Sequence, residues 1–187
     1  MNKIFIFLAE GFEEIEAVTI VDVLRRAQVN VSIVSVTGTL MVKGAHQIEV
    51  KADHLFEDVK YSEGEMIILP GGMPGTKNLD QHNGLKQEIL AYHKARKYLA
   101  AICAAPMVLG NLKILNGKKA VCFPGFENYL KGALIGDSPY IVDDKIITGR
   151  GVGTALLFSL EIVRILKGEE LANQLKKAML VSSDYRL

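Results

Sequence analysis

Short apolar segments alternate with amphipathic stretches along this chain, and this alternation constrains the fold more than any other feature of the sequence. Six apolar runs have the length of strands, and most of them are separated by stretches with helical periodicity. Continuous apolar strands joined through amphipathic helices are typical of a mostly parallel sheet with both faces covered. We therefore predict an α/β fold with three layers, in which helices lie on both faces of a doubly wound sheet.

The same periodicity gives expected bounds for the elements. The predicted strands are Lys3–Leu8, Val31–Val36, Met66–Leu69, Leu99–Ile102, Ala120–Phe123 and Lys145–Thr148. The predicted helices are Glu14–Ala27, Gly84–Ala95, Ala104–Leu112, Thr154–Leu166 and Glu170–Met179. Two hairpins are expected, one between Thr39 and Asp53 and one that turns at Asp143-Asp144. Because no repeat or linker interrupts the chain, we predict that residues 1–187 form a single domain.

Charge and composition exclude several classes of partner. The chain has 22 basic and 21 acidic residues, and basic pairs such as Lys118-Lys119 are too short to predict a nucleic-acid surface. No run approaches the roughly 20 apolar residues of a membrane span. The apolar run 4–9 is too short for an export signal and is expected to be a buried first strand. Two cysteines are then expected to be free thiols in a reducing compartment, which predicts a cytoplasmic protein.

Cys103 is the leading candidate for a functional residue. In doubly wound sheets the ligand and catalytic groups lie at the carboxyl ends of the strands, and Cys103 follows the strand Leu99–Ile102 directly. The N-terminus of the next helix would favour the thiolate, and the small residues Ala104 and Ala105 permit a tight turn like a nucleophile elbow. The alternative is a cysteine that only packs, which is how we interpret Cys122 inside its predicted apolar strand.

Glu16 is the candidate acid or base. On a helix it shares a face with the apolar residues Ile20, Val23 and Ala27. A carboxylate buried on such a face costs several kcal/mol unless it is protonated or paired, so burial should raise its pKa. The alternative is a helix that begins later and leaves Glu16 in an exposed turn. The neighbouring Glu10, Glu13 and Glu14 are explained by the positive end of the helix.

Two glycine-rich loops follow other strands. The loop 70–75 begins Pro70-Gly71-Gly72, and its amides can either form an oxyanion hole or belong to a plain turn. The loop 148–154 contains three glycines, but their spacing and late position do not fit a dinucleotide fingerprint. Close packing of a helix on a strand explains this second loop better.

Four motifs at matching spacing resemble the ThiJ/PfpI family. They are Glu-Glu-Ile-Glu at 13–16, Leu-Pro-Gly-Gly at 69–72, Ala-Ala-Ile-Cys-Ala-Ala-Pro at 100–106 and Gly-Arg-Gly-Val-Gly-Thr at 149–154. The chain looks most similar to the branch of the human parkinsonism-associated deglycase. The resemblance implies a flavodoxin-like fold of the class I glutamine amidotransferase-like type.

The resemblance also implies roles for individual residues. Cys103 would be the oxidation-prone nucleophile, and Glu16 would be a protonated carboxylic acid that donates a hydrogen bond to its sulfur. The amides of Gly71, Gly72 and Ala104 would be donors to a developing oxyanion. Members of the family commonly form homodimers, so a homodimer is expected, and no cofactor is implied.

Departures from the family pattern narrow the chemistry. Protease-like members have a histidine where this chain has Ala104, and the human protein has a histidine where this chain has Phe123. The four histidines lie outside all four motifs, at positions 46, 54, 82 and 93. A Cys–His dyad is therefore not expected, which disfavours a peptidase. Two cysteines and four scattered histidines also predict no metal site.

We therefore expect an enzyme that acts on reactive carbonyls, either a glutathione-independent glyoxalase or a deglycase. Its substrate would be a small aldehyde or a glycated protein. The alternative is a redox sensor or stress-response chaperone that works through oxidation of Cys103 to the sulfinic acid. A peptidase and a binding module without catalysis are less favoured, and fold alone does not decide among these functions.

Overall fold

The computed structural model describes residues 3–182 and has a seven-stranded sheet at its centre. In chain order the strands are β1 (Lys3–Leu8), β2 (Asn30–Ser35), β3 (Met41–Lys43), β4 (Glu49–Lys51), β5 (His54–Leu55), β6 (Gly64–Leu69), β7 (Tyr98–Ile102), β8 (Lys119–Ala120), β9 (Leu134–Ile135), β10 (Tyr140–Asp143) and β11 (Ile146–Gly149). The central sheet has the order β10-β11-β7-β6-β1-β2-β5. All its neighbours are parallel except β10 and β11.

Helices cover both faces of the sheet. They are α1 (Glu14–Arg26), α2 (Gly75–Gln81), α3 (Asn83–Lys94), α4 (Pro106–Asn111), α5 (Ala155–Lys167) and α6 (Glu169–Ala178). Buried side chains of α1, α5 and α6 form one hydrophobic cluster with the sheet, and those of α2, α3 and α4 form the other. Within the described residues, no helix is long and apolar enough to cross a membrane.

The first strand shows why the sheet is apolar on both sides. Ile4, Ile6 and Leu8 pack into the cluster under α1 and α5, whereas Phe5 and Phe7 pack into the opposite cluster. Successive side chains of a strand point to opposite faces, so a strand between two helical layers must be apolar at every position. The prediction of a three-layer, doubly wound, mostly parallel sheet is confirmed.

Both predicted hairpins are present. β3 pairs with β4 in an antiparallel two-stranded sheet, here called the 41–51 hairpin. β10 pairs with β11, and Asp144 in their turn has a φ of 57°, a conformation that tight hairpin turns require. The helices predicted over 14–27, 84–95, 154–166 and 170–179 are observed within about two residues of those bounds.

The predicted strand Ala120–Phe123 is wrong in both extent and place. Only Lys119–Ala120 is a strand, and it pairs with Leu134–Ile135 outside the central sheet. The amide of Val121 donates instead to Thr148 Oγ1 at 3.0 Å, and the amide of Phe123 donates to the carbonyl of Cys103 at 2.8 Å. Since these amides are taken by groups at the ends of β7 and β11, the segment lies across those strand ends rather than beside a strand.

Candidate functional site

Cys103 occupies a sharp turn between β7 and α4. Its φ is +64°, in the left-handed region that residues other than glycine rarely adopt. Two backbone hydrogen bonds hold the turn: the Cys103 amide donates to the Gly149 carbonyl at 2.9 Å, and the Cys103 carbonyl accepts from Phe123. α4 then begins at Pro106 rather than at the predicted Ala104. The backbone therefore has the elbow geometry expected from the sequence, with the cysteine 9% exposed.

Glu16 lies in the first turn of α1 and is fully buried. Ile20, Val23 and Ala27 are buried with it, so the predicted apolar face is confirmed and the exposed-turn alternative is wrong. Oε2 of Glu16 accepts a hydrogen bond from the Gly71 amide at 2.8 Å. Oε1 receives no hydrogen bond of good geometry in the described part of the chain, and the Cys103 thiol is the polar group beside the carboxyl.

Gly71 lies where Cys103 and Glu16 meet. A Cβ built on Gly71 would lie 2.6 Å from the Cβ of Cys103, 2.8 Å from Oε2 of Glu16 and 3.1 Å from Sγ. Only glycine fits between them without displacing one of the two side chains. Because its amide already donates to Glu16, Gly71 positions the carboxyl in this structure and does not serve as the predicted oxyanion donor.

The other two predicted donors face the sulfur. The amides of Gly72 and Ala104 both hydrogen-bond to the Cys103 thiol and lower its pKa. Gly72 has a φ of +89°, and a Cβ there would overlap the backbone of Phe12 and Glu13. The loop after β6 can therefore lie against the backbone that leads into α1 only because this position is a glycine.

Burial dominates the protonation of the pair. It raises the pKa of Cys103 to about 12, with the charge of Glu16 and its hydrogen bond adding to the effect and the amides of Ala104 and Gly72 opposing it. Burial likewise raises the pKa of Glu16 to about 7, while the Gly71 amide and the Cys103 thiol lower it and the charge of Glu13 raises it. The amides at the turn thus favour the thiolate as expected, but burial and the charge of Glu16 outweigh them and the net pKa of the thiol is raised. The carboxyl is also only partly protonated at neutral pH, where the resemblance implies a protonated acid.

Among the described residues, no histidine contributes to the pKa of the Cys103 thiol. His82 instead caps α3, where its Nδ1 accepts from the Leu85 amide at 3.0 Å. His93 and His54 are exposed. Cys122 is buried in the cluster under α3 and α4 and is a free thiol, as Cys103 is.

The loop after β11 packs as expected. A Cβ on Gly149 would lie 2.8 Å from Cγ1 of Ile102 and 2.8 Å from Cδ2 of Phe158, so the glycine allows α5 to approach the strands closely. The part that sequence reasoning missed is the Gly149 carbonyl, which holds the amide of Cys103. Every residue has a backbone carbonyl, so the residue type at this position gives no indication of the role.

Sequence reasoning also missed the contact between Glu14 and the 41–51 hairpin. Glu14 is buried, and its Oε1 accepts from the His46 amide at 2.6 Å while its Oε2 lies 2.8 Å from Nδ1 of the His46 ring. Burial raises the pKa of Glu14, but the hydrogen bonds from the His46 ring and from backbone amides outweigh it, so the net pKa is lowered. The two residues are far apart in sequence, and no motif links them.

These features define a class of protein: a doubly wound α/β protein with a cysteine at a strained elbow after β7 and a buried carboxyl from the first turn of α1 beside it. The chain belongs to the DJ-1/PfpI family, whose model matches residues 2–165. The resemblance drawn from the four sequence motifs is therefore confirmed.

Individual relatives agree with this membership. Protein DJ-1 homolog B from Arabidopsis thaliana is 38% identical over 173 residues, which are 91% of this chain and 40% of the plant protein. This chain thus spans less than half the length of that relative. Glutathione-independent glyoxalase DJR-1.2 from Caenorhabditis elegans is 32% identical over 172 residues, 91% of each protein. The structure of oxidized Toxoplasma gondii DJ-1 superposes with a TM-score of 0.92 at 34% identity, over 96% of this chain and 98% of that one.

Proposed function

We propose that this protein converts small reactive carbonyl compounds such as methylglyoxal into hydroxy acids without glutathione, with Cys103 as nucleophile and Glu16 as acid and base. The observation that carries the proposal is the contact of a buried carboxyl with the cysteine of the elbow. A carboxylate with a pKa of about 7 is matched to proton transfer at neutral pH. It is also the ionisable group in contact with the thiol.

The first step is addition to the aldehyde. The Cys103 sulfur bonds to the aldehyde carbon while the Glu16 carboxylate accepts the thiol proton, so a thiol with a raised pKa need not ionise beforehand. The amides of Gly72 and Ala104, which face the sulfur, stabilise the oxyanion that forms on the former aldehyde oxygen. Return of the proton from Glu16 to that oxygen gives a hemithioacetal.

The second step moves a proton between carbons. Glu16 removes the hydrogen from the former aldehyde carbon as a proton, and the electron pair shifts toward the adjacent carbonyl to give an enediol. The proton then returns to the neighbouring carbon, while the hydroxyl proton moves from the former aldehyde oxygen to the former ketone oxygen. The product is a lactoyl thioester on Cys103. Attack of water breaks the carbon–sulfur bond and releases lactate with the thiol restored. Methylglyoxal plus one water gives lactic acid, so no external oxidant or reductant is consumed.

Two further observations support a small substrate. The worm relative at 32% identity bears the name of a glutathione-independent glyoxalase. Cys103 is 9% exposed, which admits a three-carbon aldehyde more readily than a side chain on a folded, glycated protein. We therefore rank glyoxalase chemistry above deglycation for this chain.

The test is lactate formation from methylglyoxal with no added thiol. We expect the wild-type chain and Cys122→Ala to form lactate, and Cys103→Ala to form none above the uncatalysed background. Cys122 is the matched control because it is the other buried free cysteine of the chain. Lactate formation that survives in Cys103→Ala would end the proposal.

A second candidate function is redox sensing through Cys103. The amides of Gly72 and Ala104 that hydrogen-bond to the thiol would equally bind the oxygens of a sulfinate, and Glu16 in its protonated form would donate a further hydrogen bond. A relative at 34% identity has been solved in an oxidized form. Intact mass after mild peroxide treatment tests this: we expect two added oxygens in the wild type and none in Cys103→Ala.

We also propose that the protein acts as a homodimer in the cytoplasm. Apolar side chains of α1 and the 41–51 hairpin are exposed together, with Ile15 at 57%, Val18 at 50% and Ile48 at 57%. A second copy of the chain would cover them. Sedimentation equilibrium should give a dimer for the wild type and a monomer for Val18→Glu. The cytoplasmic location is supported by the two free thiols.

A further inference from the structure

Away from the Cys103 thiol, the described residues bring a histidine and two carboxylates together at the start of α1. The ligand atoms of Glu13, Glu14 and His46 all lie within 4.8 Å of one another. We propose that these three side chains form a binding site for a divalent transition-metal ion such as Zn²⁺. Imidazole nitrogen and carboxylate oxygen are ordinary zinc ligands, and three protein ligands leave positions open for water.

The orientation of the two carboxylates fits this role. Glu13 Oε1 accepts from the Ile15 amide at 3.4 Å, and Glu14 Oε1 accepts from the His46 amide at 2.6 Å. The Oε2 atoms of both residues lie near the His46 ring. The distance to Nδ1 is 3.7 Å from Glu13 and 2.8 Å from Glu14. Since zinc ligands lie about 2.0–2.2 Å from the metal, atoms at these separations need only small movements to share one ion.

Glu13 contributes a second carboxylate, whose Oε2 lies 3.7 Å from Nδ1 of His46. The side chain of Glu13 is 10% exposed, yet its Oε2 takes part in no hydrogen bond within the described part of the chain. In the same residues, no lysine or arginine forms an ion pair with Glu13 or Glu14. The Glu13 side chain is largely buried, and a bound cation would offset the charge of its carboxylate. In the single chain the His46 side chain is 67% exposed.

The backbone holds the ligands in place. The Ala45 amide donates to the Phe12 carbonyl at 2.9 Å, and the Gly11 amide donates to the Lys43 carbonyl at 2.8 Å, which fixes the 41–51 hairpin beside the start of α1. A Cβ on Gly44 would overlap the Glu14 carboxyl, so glycine at this position lets that carboxyl lie against the hairpin. Such outer contacts orient ligands and strengthen metal binding.

The prediction of no metal site from the sequence rested on the scatter of the histidines along the chain. His46 is 32 residues from Glu14 in sequence, and only the hairpin brings them together. The proposed site uses no cysteine, so it is chemically distinct from the Cys103 pair.

Calorimetric titration of the full-length, metal-stripped chain with Zn²⁺ tests the proposal. We expect saturable binding of one ion per chain in the wild type. His46→Ala and Glu13→Gln should each weaken the affinity by more than about tenfold. His54→Ala is the matched control, because His54 is also exposed near the hairpin but belongs to no such cluster in the described part of the chain. Its affinity should equal that of the wild type.

Two further variants distinguish the proposed site from zinc binding at the thiol and from a loss of folding. Cys103→Ser should bind Zn²⁺ as the wild type does; loss of binding there, with retention in His46→Ala, would assign the ion to the thiol and overturn the proposal. His46→Gln, which keeps a polar side chain on the hairpin, should lose affinity as His46→Ala does while the circular dichroism spectrum stays unchanged. Absence of saturable binding in the wild type, or equal loss in His54→Ala, would also overturn it.

Discussion

Glu14 and Glu16 lie two residues apart in the first turn of α1, and both are buried, yet their protonation differs. The pKa of Glu14 is lowered, whereas the pKa of Glu16 is raised to about 7. Burial raises both values. The difference lies in the donors: the His46 ring and backbone amides surround the Glu14 carboxyl, while Glu16 has the Gly71 amide and the Cys103 thiol.

Burial alone therefore does not decide the chemistry of a carboxyl. A buried carboxyl that has enough N–H donors stays ionised at neutral pH. With too few donors its pKa rises toward 7, and it can then exchange protons near neutral pH. Glu14 therefore attaches the hairpin to α1, and Glu16 is free to act on the thiol. Substitutions around either glutamate test this difference.

The largest effect is expected from Gly71→Ala. A methyl group there would overlap the Cys103 and Glu16 side chains, and a displacement of about 1 Å at reacting groups can cost about 100-fold in rate. We expect at least that loss in kcat/KM for methylglyoxal. Gly153→Ala is the control, because a Cβ at Gly153 meets no atom within 4 Å. Equal activity of the two variants would show that contact between Cys103 and Glu16 is not required.

The next effect is the pH dependence of activity. The pair reacts after it has lost one proton, and the pKa of Glu16 is about 7, so kcat/KM should rise about tenfold per pH unit below pH 7 and level off above it. In Glu16→Gln the rate should be much lower and this inflection should be absent. An unchanged inflection in Glu16→Gln would assign the titration to another group.

Stability should depend on pH in opposite directions for the two glutamates. Because the pKa of Glu16 is raised from 4.5 to about 7 on folding, its stabilising contribution is complete below pH 4.5 and is lost as the pH rises through 7. Relative to that of the wild type, the free energy of unfolding of Glu16→Gln should therefore increase by about 3 kcal/mol between pH 4.5 and pH 7. Urea unfolding at several pH values measures this.

Glu14→Gln should show the reverse. Its lowered pKa means that the ionised form stabilises the fold above the ordinary pKa of 4.5 and that this contribution is lost as the pH falls. The variant should lose stability relative to the wild type at neutral pH and approach it in acid. The same sign of pH dependence for both variants would contradict the contrast between the two carboxyls.

The sequence was sufficient to predict groups that lie on one element. Helical spacing placed Glu16 among Ile20 and Val23, and the strand end placed Cys103 at the turn. The sequence was insufficient to predict contacts between elements that are far apart in the chain. The Glu14–His46 contact depends on how a hairpin docks. The raised thiol pKa depends on burial and on the charge of a carboxyl from the first turn of α1.

The segment predicted as the strand Ala120–Phe123 failed for a related reason. Its first three residues are buried as expected, but Thr148 Oγ1 and the carbonyl of Cys103 take its amides in place of a neighbouring strand. Apolar periodicity reports burial, and it does not report which acceptor a backbone amide will find. The amide of Phe123 thus supports the elbow.

The smallest effect on catalysis is expected from Gly44→Ala, which changes only the surroundings of Glu14. Its methyl group would displace the Glu14 carboxyl from the hairpin, so the amides of His46 and Ile48 should exchange hydrogen with solvent faster. Because a Cβ on Gly44 would meet the Glu14 carboxyl first, and not the Cys103 pair, kcat/KM should change by no more than about twofold. A loss as large as that in Gly71→Ala would mean that the hairpin and the cysteine pair act as one unit, and the division between a structural and a reactive carboxyl would then fail.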